Sequence, residues 1–510
     1  MRVMDNEWYR SCNWYHIYPI GLLGVERSNS KAIERVNKLE ELGSTQWVSH
    51  FKSLNIGGVY IGPVFESSAH GYDTADLFSI DRRLGSNDDF KNLVKQYHSV
   101  GIKVIVDAVF NHVGRNFFAF NDIKANGIQS KYCDWFKGLD FSRRSEKGDD
   151  FTYTPWEGYY ELVTLNHENP QVRKYLYDAV EFWYSEFEID GLRLDAADCI
   201  SIDFWRDFRG YCKDKFGESF ALLAEIIHGD QRLWVRPNLS YSPTFENTNQ
   251  PFDGVTNYIL WDAIWKSHRF KDLDLLVSVI SRQRDLLASG WMYNFVDNHD
   301  VTRIASQVED EDDLLTIFII LFTLSGSPSI YYGSEFKFRG VKGTGRQADL
   351  QLRPRLSVKD LEWLSADQSD GFLALVQFVS QMRGLPIIGR VLTHGECSII
   401  FSTKTILVFE RRVKEEFLLV AVNIDTRPAE DVEVSWNGPD GSWRDILSPT
   451  DFYQSIDGKI KMSIPANWAV LLSSFVPSMS FGQYRVKKFK RTLYSIPVLS
   501  NSGLIVEDLN

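Results

Sequence analysis

Eight short apolar runs, each followed by a polar loop and most by an amphipathic stretch, limit what this chain can fold into. Strands of a parallel sheet are buried on both faces, so they read as continuous apolar runs. Their alternation with helical periodicity indicates βα units. Eight such units predict an α/β protein with a closed (β/α)8 barrel of the TIM type, not an open sheet. In chain order the runs are WYHIYPI, IGGVYIGPVF, KVIVDAVF, DGLRLDAA, ALLAEII, GVTNYIL, MYNFVDNH and SPSIYYGSE.

Two stretches interrupt this alternation and predict the domain organisation. Residues 113–166 are too long for a simple βα connection, and they predict a subdomain inserted after strand 3. Residues 389–476 carry alternating β-branched runs, which are typical of an antiparallel β-sandwich. The barrel is then assigned residues 1–112 and 167–388. Residues 477–510 form a tail that fits neither pattern.

Charge and hydropathy narrow the class of partner. The 510 residues include 56 Lys and Arg against 68 Asp and Glu, a net charge of −12, which argues against nucleic acid. No run of about 18 apolar residues and no signal-type N-terminus is present, so we expect no membrane partner and a cytoplasmic protein. The sequence does not distinguish a monomer from a homo-oligomer, and no pattern in it calls for a cofactor.

Ionisable residues stand where four of the apolar runs end. In this architecture the catalytic groups lie at the C-terminal ends of the strands. A single buried carboxylate there is more often a salt-bridge partner. Several that converge on one barrel mouth are costly to keep together, and they indicate function. The four segments, at strands three, four, five and seven, are Asp107-Ala-Val-Phe-Asn111-His112, Arg193-Leu-Asp195-Ala-Ala-Asp198, Ala224-Glu225-Ile-Ile-His228 and Asn294-Phe-Val-Asp297-Asn298-His299-Asp300.

These segments resemble the four signature regions of the α-amylase family, glycoside hydrolase family 13. The stretches Gly58 to Pro63, His70-Gly-Tyr72-Asp73 and Gly326 to Glu335 resemble further blocks of that family. The resemblance leans toward its neopullulanase, cyclomaltodextrinase and oligo-glucosidase members. It implies a retaining hydrolase that cleaves α-glucosidic bonds, mainly α-1,4, of maltooligosaccharides or related α-glucans through a covalent intermediate.

The resemblance also implies roles for three carboxylates. Asp195 matches the nucleophile, Glu225 the general acid/base and Asp300 the supporting carboxylate. Arg193 lies two residues before Asp195, so on a strand both point to one face, and its charge would keep Asp195 ionised. Glu225 follows an apolar run, and burial would raise its pKa as a general acid requires.

Further residues of the same blocks are expected to bind or support the sugar. Asp73 and Arg353 are assigned to the substrate-binding residues at the barrel mouth. The alternative is that each forms only an ordinary surface ion pair. Asp107 and Asn298 are expected to support the reacting groups without touching the sugar, and Asp107 is expected to hold Arg193. The substrate-binding set implied by the resemblance is Tyr72, His112, Arg193 and His299.

The second signature departs from the family pattern in a way that bears on metal and substrate. Many family members bind calcium with the Asn of the first signature and a His after the second. Here Asn111 is present but Cys199 replaces the His, and a thiol is a poor ligand for a hard cation. We therefore expect no metal at Asn111. Asp198 replaces a Lys that often contacts sugar on the leaving-group side, which argues against polymeric substrates.

Two alternatives remain open from the sequence. A transglycosylase or isomerase would use the same covalent intermediate, with a sugar hydroxyl as acceptor in place of water. A catalytically inactive carbohydrate-binding homologue belongs to a different class of protein. Such homologues usually lack one or more of the three carboxylates, whereas Asp195, Glu225 and Asp300 are all present.

Overall fold

A closed barrel of eight parallel strands forms the centre of the chain and confirms the predicted fold class. The strands follow one another around the barrel in sequence order, and the first pairs with both the second and the last, which closes the ring. They are β1 (Asn13–Ile17), β2 (Ile56–Ile61), β3 (Lys103–Ala108), β4 (Gly191–Leu194), β5 (Ala221–Ala224), β6 (Gly254–Thr256), β7 (Trp291–Asn294) and β8 (Ser327–Tyr331). The computed structural model describes residues 6–30, 34–227, 250–287, 290–344, 348–367, 371–448, 450–473, 484–486 and 491–493.

Amphipathic helices surround the barrel. The helix Asn87–Ser99 is representative, because a capping box between Ser86 and Asp89 starts it and its apolar face is buried. A short antiparallel pair, Phe65–Ser67 and Thr74–Ile80, follows β2. The other α-helices among the described residues are Trp8–Ser11, Pro19–Leu22, Thr45–Ser53, Phe118–Asn126, Pro170–Phe187, Ile202–Phe216, Tyr258–Phe270, Asp274–Leu287, Ile304–Gln307, Asp313–Thr323, Val358–Ala366, Phe372–Met382 and Pro386–His394.

The sixth strand is shorter than its apolar run. The run GVTNYIL predicts a strand as far as Leu260, but β6 ends at Thr256 and a helix begins at Tyr258. The physical reason is Asn257, whose Oδ1 accepts a hydrogen bond from the backbone N–H of Leu260 at 3.2 Å. Asn is among the preferred N-cap residues, so it starts a helix inside an apolar sequence.

The insertion after β3 contains its own small sheet. Tyr159–Thr164 is the central strand and pairs with His112–Gly114 on one side and Pro155–Trp156 on the other. Because the strand His112–Gly114 lies four residues after β3, the insertion extends directly from the mouth of the barrel.

Two antiparallel sheets form the C-terminal sandwich. Their facing sides bury a common apolar core that includes Val408, Phe417 and Trp436. Arg411 joins the sandwich to the barrel by donating to the carbonyls of Thr323 and Leu392, near the C-terminal ends of two helices. One sheet is Glu396–Ser402, Ile406–Val413, Glu416–Asn423 and Trp468–Ser473, and the other is Ala429–Ser435, Lys459–Ile464, Phe452–Ile456 and Gly441–Arg444.

Within the tail, Tyr484–Val486 and Arg491–Leu493 pair as antiparallel strands, and the rest of residues 477–510 lies outside the described residues. In the described part of the chain no single helix has the length and apolarity needed to cross a membrane. The pair Phe372–Met382 and Pro386–His394, bent by 83°, reaches that threshold only when both helices are counted together.

Candidate active site

Arg193 lies at the centre of the groups that converge on the barrel mouth. Its Nη1 is 2.7 Å from Oδ1 of Asp107 and 2.7 Å from Oδ1 of Asp195, and its Nη2 contacts Oε1 of Glu225. These carboxylates come from three neighbouring strands, β3, β4 and β5, and all are buried. One positive charge thus faces three acidic groups, which favours retention of a proton by the cluster.

The two candidate reacting carboxyls have raised pKa values. Burial raises the pKa of Asp195 well above its ordinary value, against the opposing charge of Arg193. Burial also raises the pKa of Glu225, and the negative charge of Asp300 adds to the effect. Oε2 of Glu225 accepts a hydrogen bond from the backbone N–H of Ala196 at 3.0 Å.

Ala196 connects these two carboxyls through a strained backbone. Its φ of 43° lies in the left-handed region, which costs a residue with a Cβ about 1–2 kcal/mol. The conformation aims its N–H at Glu225, and the N–H of Ala197 donates to the carbonyl of Glu225 at 3.1 Å. Such strain persists only where the surroundings enforce it, and here it links the loops after β4 and β5.

Asp300 is held ionised at the end of β7. Its Oδ2 is 2.9 Å from Nε2 of His299 and its Oδ1 is 3.0 Å from Nη2 of Arg353. Burial alone would raise the pKa of Asp300, but His299 and Arg353 outweigh it and lower the pKa well below the usual range. Arg353 also lies over the ring of Tyr18, 4.5 Å from its centroid.

Aromatic and imidazole rings surround these charges. The rings of Tyr72 and His299 stack with centroids 5.3 Å apart, and the Tyr72 hydroxyl donates to Oδ2 of Asp107 at 2.9 Å. His112 stacks on Trp156 of the insertion at 5.1 Å. Burial lowers the pKa of His112 to about 3, so the ring is neutral. Flat apolar faces beside hydrogen-bonding groups suit the two surfaces of a sugar ring.

The other expected residues take supporting positions. Asp107 holds Arg193, as expected from the sequence, and also accepts from Tyr60 at 2.7 Å. Asn298 accepts the backbone N–H of Asp300 at 2.8 Å. Asp73 is buried, accepts the backbone N–H of His70 at 3.1 Å and lies 3.8 Å from Nδ1 of the same residue, so it organises the loop around Tyr72.

Sequence reasoning missed Tyr258 as a member of this group. Its hydroxyl lies 3.1 Å from Oε1 of Glu225. The apolar run GVTNYIL predicts that Tyr258 lies in the sixth strand, whereas it is the first residue of the following helix. The signal that could have found it is Asn257, a capping residue that ends the strand and brings the next side chain to the barrel mouth.

The region around Asn111 is occupied by protein contacts. Its Nδ2 lies 3.2 Å from Nδ1 of His112, and its carbonyl accepts the N–H of Leu165 at 3.0 Å. Cys199 is exposed. Across the described residues, no group of three or more His, Cys, Asp or Glu side chains is arranged to hold a metal ion.

Comparison of the amino-acid sequence with known proteins identifies a family. A family model described as the α-amylase catalytic domain matches residues 40–369. A cyclomaltodextrinase from Geobacillus thermopakistaniensis is 30% identical over 83% of this chain and 70% of its own length. A maltogenic α-amylase from Bacillus acidopullulyticus is 32% identical over 70% of this chain and 61% of its own length.

Solved structures agree with this assignment. A cyclomaltodextrinase superposes with a TM-score of 0.75 at 26% identity, covering 91% of this chain and 78% of that one. A cyclic α-maltosyl-(1→6)-maltose hydrolase from Arthrobacter globiformis, at 22% identity over 92% of this chain and 99% of that one, shares the fold with a TM-score of 0.72. The chain therefore belongs to the α-amylase family of glycosidases.

Proposed function

We propose that the protein is a retaining glycoside hydrolase that cleaves α-glucosidic bonds, mainly α-1,4, of maltooligosaccharides or related α-glucans. The observation that carries the proposal is the contact of one guanidinium, that of Arg193, with the carboxyls of both Asp195 and Glu225. Retaining glycosidases need two carboxyls about 5 Å apart, one as nucleophile and one as acid/base. A shared guanidinium keeps the two groups close together and aligned.

In the first step, an oxygen of Asp195 attacks the anomeric carbon while Glu225 transfers its proton to the departing glycosidic oxygen. In the second step, Glu225 takes a proton from water, and the water oxygen replaces Asp195 on the anomeric carbon. Asp195 reacts in its ionised form, which the charge of Arg193 favours although burial raises the pKa of this carboxyl, and burial favours the protonated form of Glu225. Asp300, held ionised by Arg353 and His299, is suited to grip sugar hydroxyls.

Two observations support an oligosaccharide substrate. Relatives that cover two thirds or more of this chain carry the names cyclomaltodextrinase, maltogenic amylase and neopullulanase, and the chain spans between 58% and 71% of their length. Asp198, which replaces a Lys that often contacts sugar on the leaving-group side, accepts the backbone N–H of Ile227 at 3.1 Å. Its carboxylate is therefore held by the loop after Glu225, which argues against a polymeric substrate.

A Bacillus subtilis relative is named an intracellular maltogenic amylase, which supports a cytoplasmic location.

Trapping the covalent intermediate tests the mechanism. An activated α-glucoside with a fluorine on its sugar ring should form an adduct that hydrolyses slowly, and mass spectrometry should locate it on the peptide containing Asp195. Asp195→Asn, treated identically, is the control and should carry no adduct. An adduct on another residue, or none with an otherwise active enzyme, would contradict the proposed nucleophile.

Product analysis separates hydrolysis from the alternatives. Maltose, maltotriose, isomaltose, panose, β-cyclodextrin and starch would be incubated with the enzyme and resolved by chromatography. Hydrolysis yields glucose and maltose, whereas transglycosylation or isomerisation yields longer or re-linked sugars. Sugar binding without any product would indicate a carbohydrate-binding homologue.

A further inference from the structure

The hydroxyl of Tyr258 belongs to a directed chain of hydrogen bonds that ends on Glu225. Nδ2 of Asn298 lies 3.0 Å from that hydroxyl, and the hydroxyl lies 3.1 Å from Oε1 of Glu225. Oδ1 of Asn298 accepts the N–H of Asp300 at 2.8 Å, which fixes the orientation of the amide. An amide N–H only donates, so the hydroxyl oxygen accepts from Asn298, and its own proton is directed at Glu225.

We propose that Tyr258 is a positioning residue that sets the proton affinity of Glu225, with Asn298 fixing the direction of its hydrogen bond. This inference rests on the proposed role of Glu225 as general acid/base. Both Tyr258 and Asn298 are buried, 8% and 7% exposed, so water competes little for these bonds. A donor to the ionised carboxylate favours that form, so Tyr258 opposes the effect of burial on Glu225.

Removal of the Tyr258 hydroxyl takes away none of the other groups that face Glu225. Arg193 contacts Glu225 from β4, and the backbone N–H of Ala196 follows on the same segment. Asp300 and His299 act on Glu225 from the loop after β7. The carboxylates of Asp195 and Asp107 share Arg193 with Glu225. Tyr258 is thus a neutral donor whose removal alters one hydrogen bond and no formal charge.

Tyr258→Phe tests the proposal through the pH profile of kcat/KM on maltotriose. The basic limb of that profile reports the pKa of the acid in the free enzyme. Loss of one hydrogen bond to a charged group should move the basic limb upward by about one pH unit and leave the acidic limb in place. A basic limb that stays in place or moves downward would overturn the proposal.

Tyr293→Phe is the matched control. Tyr293 is a buried tyrosine of β7 whose hydroxyl bonds to Ser329 at 2.6 Å and not to a carboxylate. The same loss of a hydroxyl in the barrel interior should leave both limbs unmoved. An equal shift in Tyr293→Phe would assign the effect to general loosening of the barrel and contradict the proposed role of Tyr258.

Asn298→Ala provides an independent variant, and it decides the proposal if Tyr258→Phe does not fold. It frees the Tyr258 hydroxyl to rotate, so the basic limb should again move upward. It also removes the acceptor for the Asp300 N–H, so KM for maltotriose should rise. In the double variant the basic limb should move no further than in Tyr258→Phe, because both changes remove one hydrogen bond. Additive shifts would contradict the proposed chain of hydrogen bonds from Asn298 through Tyr258 to Glu225.

Glu225→Gln distinguishes failure of this inference from failure of the proposed function. As an acid/base variant it should lose far more activity on maltotriose than on an aryl α-maltoside with a good leaving group. Equal losses on both substrates would refute the role of Glu225, and this inference with it. If Glu225→Gln behaves as expected and the Tyr258→Phe limb does not move, only the inference about Tyr258 fails.

Discussion

Arg193 and Asp195 form a direct ion pair, with Nη1 2.7 Å from Oδ1, although only one residue separates them on the chain. The pair forms because side chains two apart on a strand share a face, and both reach the barrel mouth. The same guanidinium also bonds to Asp107 and Glu225. Arg193 therefore keeps two other acidic partners, Asp107 and Glu225, if Asp195 loses its charge.

Asp195→Asn should abolish turnover of maltotriose by several orders of magnitude without unfolding the protein. Burial raises the pKa of Asp195, so its ionised form costs stability at neutral pH, and a neutral amide removes that cost. The variant should therefore melt at or above the wild-type temperature in calorimetry. Retention of more than about a hundredth of wild-type kcat would exclude a covalent nucleophile.

Arg353→Ala should weaken binding more than chemistry. Arg353 holds Asp300 at 3.0 Å and donates from Nε to the carbonyl of His299 at 3.0 Å. Loss of a hydrogen bond to a charged group costs about 1.5–3 kcal/mol, so KM for maltotriose should rise about tenfold or more. Arg355→Ala, which changes an exposed arginine two residues away, should leave KM unchanged. A fall in kcat at constant KM would contradict this role.

His268 should make unfolding depend on pH. Burial lowers the pKa of His268 from the ordinary 6.5 to about 4. Between these two pH values the imidazole is protonated in the unfolded chain but neutral in the folded protein. The contribution of neutral His268 to the free energy of unfolding is therefore fully present above about pH 6.5. It is lost as the pH falls toward 4, by up to about 3 kcal/mol. Denaturant unfolding at pH 5 and pH 7 should show a smaller difference for His268→Gln than for wild type. His394→Gln, at an exposed position, is the control and should show the wild-type difference.

Chelation should leave the protein unchanged. The side chain of Asn111 is engaged by His112, and Cys199 stands where the resemblance to the family would place a ligating His. A metal that bound only the folded state would raise the melting temperature by mass action. Calorimetry and activity with EDTA and with added calcium should therefore agree. A cation coordinated at Asn111 within about 2.3–2.6 Å in an experimental structure would refute the prediction.

The amino-acid sequence was enough to predict the barrel and the carboxylates at the ends of its strands. Parallel strands buried on both faces must be apolar throughout, so Asp107, Asp195 and Glu225 stand out where those runs end. The contact between Arg193 and Asp195 was also predictable, because it depends only on the two-residue period of a strand. The contact between Arg193 and Asp195 is local in sequence, and the barrel follows from the repetition of βα units.

The contacts that join distant segments of the chain depend on the tertiary structure. Tyr258 and Glu225 are 33 positions apart, and Arg353 and Asp300 are 53 apart. Whether such pairs meet depends on where each strand ends and the next helix begins, and Asn257 set that point inside an apolar run. The left-handed backbone of Ala196 has no signature in its residue type. It exists because the loops after β4 and β5 close on the same carboxyl, a constraint that arises only when the barrel has formed.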